Sequence, residues 1–139
     1  MTKVFFDSSV IFSAIYSSKG GSRKLTDLVK RSNITGITTQ TVIEELEDNI
    51  GKFKTREINL KQFITENNFI VREKIKESEV KPFLEIVHAE DAHILAGAIL
   101  TRSDYLVTLD KRHLDNPSVE AKISKVKIVS PKELLELLI

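Results

Sequence analysis

The chain of 139 residues has the length of one ordinary domain, and its 41% hydrophobic and 29% charged residues are the balance of a soluble globular protein. A net charge of +1 excludes a global basic field able to hold nucleic acid by charge alone, and the lack of cysteine excludes disulfides and thiolate metal sites. No apolar run is long enough to cross a bilayer and Asp7 interrupts the first apolar stretch, so the expectation is a single cytoplasmic domain over residues 1–139 with no membrane partner.

Val4, Phe5 and Phe6 predict a short buried strand, and Ser8 or Ser9 is suited to cap a helix carrying Val10, Ile11, Ala14 and Ile15. The stretch "SSKGGS" breaks that helix, and Ser22 is placed to cap a second, with Leu25, Leu28 and Val29 on one face, closing near "RSN". The β-branched "ITGITT" reads as strand two. In "TQTVIEELEDNIGKF", Val42, Ile43, Leu46 and Ile50 form a helical stripe that stops close to Gly51. A further helix is expected from Thr55 to Asn68, with Ile58, Leu60, Phe63 and Ile64, followed by a brief third strand in "NNFIVRE". The polar "KESEVKPFLEIV", broken by Pro82, is expected to wrap the surface. Helix returns in "AEDAHILAGAILTR", buried through Ile94, Leu95, Ala98 and Ile99. Then come strand four, "DYLVTLD", and strand five, "KVKIVS". Ser130, Pro131 and Glu133 compose a capping box at the head of the last helix, "PKELLELLI".

Strands separated by helices argue for the α/β doubly wound class: a parallel five-stranded sheet flanked by helices on both faces, without repeats, low-complexity tracts or linkers. In such sheets the ligand crevice lies at the carboxyl ends of the strands, where strand order reverses. Asp7 stands just past strand one and Asp110 just past strand four, so their carboxylates meet at that rim if the two strands are neighbours. Asp91 opens a helix and Glu45 lies within one, at the border of its apolar face.

Each acid also has a plainer role open to it. Asp7 is suited to cap the following helix, Asp91 to sit in a first turn favoured by the helix dipole, and Asp110 to make a turn before "KRH". Glu45 belongs to "EELED", a run that is mostly solvent-facing in a typical helix. Against this, no Lys or Arg at helical spacing pairs with Asp7 or Asp91, which makes a bound cation a reasonable counter-charge.

Taken in order, "VFFDSSVIFSA", "TTQTVIEELEDNI", "AEDAHILAGAILTRSDYLVTLDKRHL" and "IVSPKELLELL" resemble the PIN-domain ribonucleases, the fold of VapC-type toxins and of several RNA-processing nucleases. The likeness covers essentially the whole chain, and its strongest piece is "SDYLVTLDKRHL", which carries a Thr-x-Asp signature after strand four. The resemblance implies an acidic quartet of Asp7, Glu45, Asp91 and Asp110, with Ser8 and Thr108 as orienting hydroxyls. It departs from the family at Ser9, where members commonly have Asn, while Glu44 competes with Glu45 and Glu90 with Asp91.

Four carboxylates in one crevice would repel one another, and oxygen-only ligands suit Mg²⁺ or Mn²⁺. The resemblance therefore implies a metal-dependent endoribonuclease, with Asp7, Asp91 and Asp110 as metal ligands and Glu45 completing the cluster. Arg23, Lys24, Lys111 and Arg112, with Lys19, stand as candidate contacts to the RNA backbone. A toxin held by an antitoxin partner fits the small size, and a homodimer fits a small chain with apolar helices. Two rival readings are an inactive PIN-like module that binds RNA or protein, and a phosphate-ester hydrolase with Asp7 as nucleophile. The second needs a further acid two residues on, where Ser9 stands. His88, His93 and His113 are expected to be surface or packing residues rather than ligands.

Overall fold

The computed structural model describes residues 1–50, 59–114 and 116–138. Its centre is strand β1 (Lys3–Phe6), in which Val4, Phe5 and Phe6 are wholly buried, the pattern of a strand covered on both faces. Parallel strands β2 (Thr35–Thr39), β3 (Ile70–Arg72), β4 (Tyr105–Val107) and β5 (Lys127–Val129) complete a sheet of order β3-β2-β1-β4-β5. The chain builds outward from β1 to β3, then returns to lay β4 on the other side of β1. The strand order reverses at that boundary, with Phe6 opposite Val107 in the register.

Helices cover both faces, as the alternation of elements predicts. On the Val4 and Phe6 face, α2 (Gly21–Lys30) presses on β2 so closely that a Cβ on Gly36 would lie 2.6 Å from Val29. On the Phe5 face lies α6 (Ala89–Leu100), where a Cβ on Gly97 would come within 2.6 Å of the Phe5 ring. Gly97 thereby brings the backbone of α6 down onto β1, which places the amino-terminal turns of α6 over the carboxyl end of the sheet. The remaining helices are α1 (Ser8–Tyr16), α3 (Gln40–Ile50), α4 (Leu60–Glu66), α5 (Glu77–Val80), α7 (Lys111–Leu114), α8 (Pro117–Lys122) and α9 (Pro131–Leu137).

Several local expectations are corrected. The cap of α1 is Asp7, the plainer role open to it, rather than Ser8 or Ser9, because the chain leaves β1 extended at Asp7 and its carboxylate reaches the amides of Ser9 and Val10. The cap of α2 is Gly20, and Ser22 falls inside the helix, buried. The stretch expected to wrap the surface does lie there, with Phe83 its one buried residue, but it is helical, folding into α5 and a 3-10 turn, Lys81–Phe83. Two short helices between β4 and β5, α7 and α8, have no counterpart in the sequence reading; α8 is capped by Asn116 with Pro117 following. The helix expected from Thr55 to Asn68 is present as α4, which begins at Leu60 with Asn59 as its cap; residues 55–58 of that expectation lie outside the described residues. The capping box of Ser130 and Glu133 on α9 is present as read.

Candidate active site

Asp7 is the first residue after β1 and stands where strand order reverses. Its backbone N–H continues the β1 to β4 pairing by donating to the Val107 carbonyl at 3.3 Å, so the side chain emerges between two strand ends. One oxygen, Oδ1, accepts from Ser9 N at 2.9 Å, from Val10 N at 3.3 Å and from the Ser9 hydroxyl. The other, Oδ2, accepts from the Thr108 hydroxyl. Asp7 is only 6% exposed. Burial pushes its carboxyl above the ordinary carboxylate range, and the hydrogen bonds from Ser9, Thr108 and Val10 only partly oppose this.

Thr108, wholly buried just past β4, couples two of the acids. Its Oγ1 donates to Asp7 and accepts from the Asp110 amide at 3.0 Å, which fixes the turn that carries Asp110. Ser9 makes a parallel link: its Oγ donates to Asp7 and accepts from the Leu109 amide at 3.1 Å. The residue that departs from the family pattern thus ties the Asp7 carboxylate to the β4 turn, and no acid stands there for an aspartyl-nucleophile hydrolase.

Ser8 reaches the other way, donating to Glu45 Oε1 at 2.8 Å. The second oxygen of Glu45, Oε2, lies 2.9 Å from His93 Nε2. Burial raises the Glu45 carboxyl, but the His93 and Ser8 hydrogen bonds and attraction to His93 outweigh it, and the balance is below the ordinary range. Glu44 instead pairs with Lys74 at 3.2 Å. Of the two acids, Glu45 is therefore the one joined to Ser8, the residue after Asp7. An open cavity of about 460 Å³ adjoins it, lined by Glu45, Asn49, Ala89, Glu90 and His93.

Asp91 sits in the first turn of α6, partly buried, while neighbouring Glu90 is exposed. Partial desolvation and then the nearby charge of Asp110 raise its carboxyl, with His113 and His88 pulling the other way. Asp110 is itself exposed, and His113 Nδ1 holds its Oδ1.

The expectation of one shared pocket needs correction in detail. Among the described residues no group of three or more His, Asp or Glu side chains converges closely enough to chelate an ion. The reason is local: Glu45 is turned to Ser8 and His93, Asp110 to His113, and Asp7 spends Oδ1 on its helix cap. The expectation for the cations changes too. Arg23 Nε donates to the Ala14 carbonyl at 2.7 Å and Nη2 to that of Ile15 at 3.4 Å, closing the end of α1 rather than facing the rim. Lys111 Nζ donates to both carboxylate oxygens of Glu133 at 3.1 Å. Lys24 and Arg112 are exposed.

Histidine is what the sequence reading undervalues. His93, expected as a surface or packing residue, is buried, yet it contacts a candidate acid 48 positions away in the chain. The one local signal is its place two residues after Asp91.

The model of the PIN domain matches residues 3–112, a span that contains Asp7, Glu45, Asp91 and Asp110. The chain belongs to the PIN domain family. PIN-fold likeness extends to solved structures at low identity. The crystal structure of PAE2754 from Pyrobaculum aerophilum is 18% identical with a TM-score of 0.65, over 99% of this chain and 95% of that one. VapBC2 from Rickettsia felis, solved bound to a DNA fragment from its promoter, is 17% identical with a TM-score of 0.65, over 93% of this chain and 98% of that one. No curated protein sequence matches the chain significantly. Among the described residues, no helix of this PIN domain is long and apolar enough to cross a membrane.

Proposed function

We propose that this PIN domain is a metal-dependent endoribonuclease that hydrolyses RNA phosphodiester bonds. The observation that carries the reading is Asp7: a carboxylate buried at the reversal of strand order, with no Lys, Arg or His paired to it among the described residues. A buried anion without a counter-charge is costly, and a cation at the rim would offset that cost.

The chemistry of the donors, though not their present spacing, fits such an ion. It is oxygen-only, as Mg²⁺ or Mn²⁺ prefers, and Asp7 Oδ2 accepts one hydrogen bond where a carboxylate oxygen has room for two. Asp91 and Asp110, whose charges already act on each other, complete the set of candidate ligands. A bound divalent ion supplies charge neutralisation at the phosphate and acidifies water. The protein's own groups do the rest: Thr108 and Ser9 hold the Asp7 carboxylate, Ser8 holds Glu45, and Glu45 takes up a proton from the attacking water. Lys24 and Arg112 are the exposed cations assigned to the RNA backbone, and Arg23 and Lys111 join them only by giving up their present partners.

The biological role we assign is that of the toxin in a toxin and antitoxin pair. The protein would act in the cytoplasm, with a partner segment covering the acidic rim and a homodimer as its working form. The VapBC2 complex supports this by likeness of fold alone. The alternative is a PIN module that binds RNA or protein without cleaving, and the dispersal of the acids onto separate protein donors favours it. Incubating single-stranded RNA with the wild type and Asp7→Asn in Mn²⁺, alongside calorimetric Mn²⁺ titration, decides between them. Cleavage and Mn²⁺ binding that both vanish in the variant support the nuclease; RNA binding without cleavage in both proteins supports the module.

A further inference from the structure

We propose that His93 is a positioning residue, whose Nε2–H holds the Glu45 carboxylate in place at the rim. The inference rests on the nuclease reading and adds to it a residue outside the acidic quartet.

His93 has little freedom. It lies between Ala92 and Ile94 in α6, is 8% exposed, and belongs to the helix that Gly97 seats on the Phe5 ring. Its Nε2 is 2.9 Å from Glu45 Oε2, while its Nδ1 is buried and has no hydrogen-bond partner among the described residues. The first of these facts fixes the direction of the bond. A carboxylate oxygen only accepts, so Nε2 must carry the proton. Nε2 therefore donates and Glu45 Oε2 accepts, whatever Nδ1 carries. Ser8 approaches Oε1 at 2.8 Å, so Glu45 is gripped at both oxygens. Beside it lies the 460 Å³ cavity that both Glu45 and His93 line. A carboxylate on a helix surface would otherwise sample several rotamers, and orienting groups of this kind carry about 10- to 100-fold in the activity of the groups they hold.

The test uses two amides that place a donor at different points. The Gln amide nitrogen stands in for Nε2, and the Asn amide nitrogen for Nδ1. His93→Gln is expected to keep kcat within about threefold of wild type, and His93→Asn to lower it about 10- to 100-fold with KM within about twofold, the pattern of a lost transition-state interaction. Circular dichroism melting of both metal-free variants checks that they fold. Independently of activity, nitrogen-15 NMR of the metal-free wild type is expected to show hydrogen on Nε2 of His93. Equal kcat in the two variants, or an Nε2 without hydrogen, overturns the role of His93 while leaving the nuclease reading intact. A wild type that does not cleave RNA in Mn²⁺ overturns the nuclease reading and, with it, this one.

Discussion

Replacing Asp7 by Asn removes a buried charge while sparing most of the structure around it. Asn caps helices as well as Asp, so its Oδ1 keeps the amides of Ser9 and Val10, and Thr108 can turn its hydroxyl to receive the new N–H. The metal-free variant should therefore fold, and at neutral pH should melt at or above the wild-type temperature. The sign follows from burial: the folded-state carboxyl of Asp7 is raised, so the native protein holds a proton that the unfolded chain releases more readily. Wild-type stability is thus fully present below the ordinary carboxylate value of 3.8 and declines as pH rises through the raised one, a decline that the uncharged amide of the variant cannot show. The advantage of the variant should accordingly grow from pH 4 toward 7. Mn²⁺ reverses the comparison. At a free concentration a hundredfold above Kd, binding adds about 2.7 kcal/mol to the wild type, or about 10 °C in Tm for a domain of this size. Differential scanning calorimetry with and without Mn²⁺ reads both effects. Asp7→Ala, which also loses the cap, should cost about 1–2 kcal/mol in the absence of metal and separates capping from charge. A Mn²⁺ shift of the same size in Asp7→Asn as in wild type, or none in wild type, refutes the reasoning.

Thr108→Val leaves a buried Asp7 oxygen and the Asp110 amide without their partner, and should lower the urea-unfolding free energy by about 1–3 kcal/mol, while Thr108→Ser restores most of it. Gly97→Ala drives a methyl to 2.6 Å from a fully buried ring, so the overpacking cost of about 1–3 kcal/mol should exceed the gain in helix propensity and shift the urea midpoint down. Induced expression of the wild type should arrest growth and Asp110→Ala should relieve it; equal growth in both strains would remove the toxin role and leave the nuclease reading standing.

Local chemistry in the sequence was enough to determine the central apolar strand at Val4–Phe6, the capping box of Ser130 and Glu133, the apolar stripe of α6 and the alternation that demands a covered parallel sheet. These depend on residues a few positions apart, where periodicity and capping act. The acids could be nominated, since Asp7 and Asp110 follow strands and Asp91 opens a helix. Their company could not. Thr108 meets Asp7 across 101 positions, His93 meets Glu45 across 48, and Ser8 meets Glu45 across 37. Only the strand order and the close seating of α6 on β1 bring such residues together. The same packing turned Arg23 to the end of α1 and Lys111 to Glu133, contacts that no spacing along the chain announces. Which groups can stand at a strand end is a local property of the chain; which partner each one meets there depends on contacts that exist only once the sheet has closed.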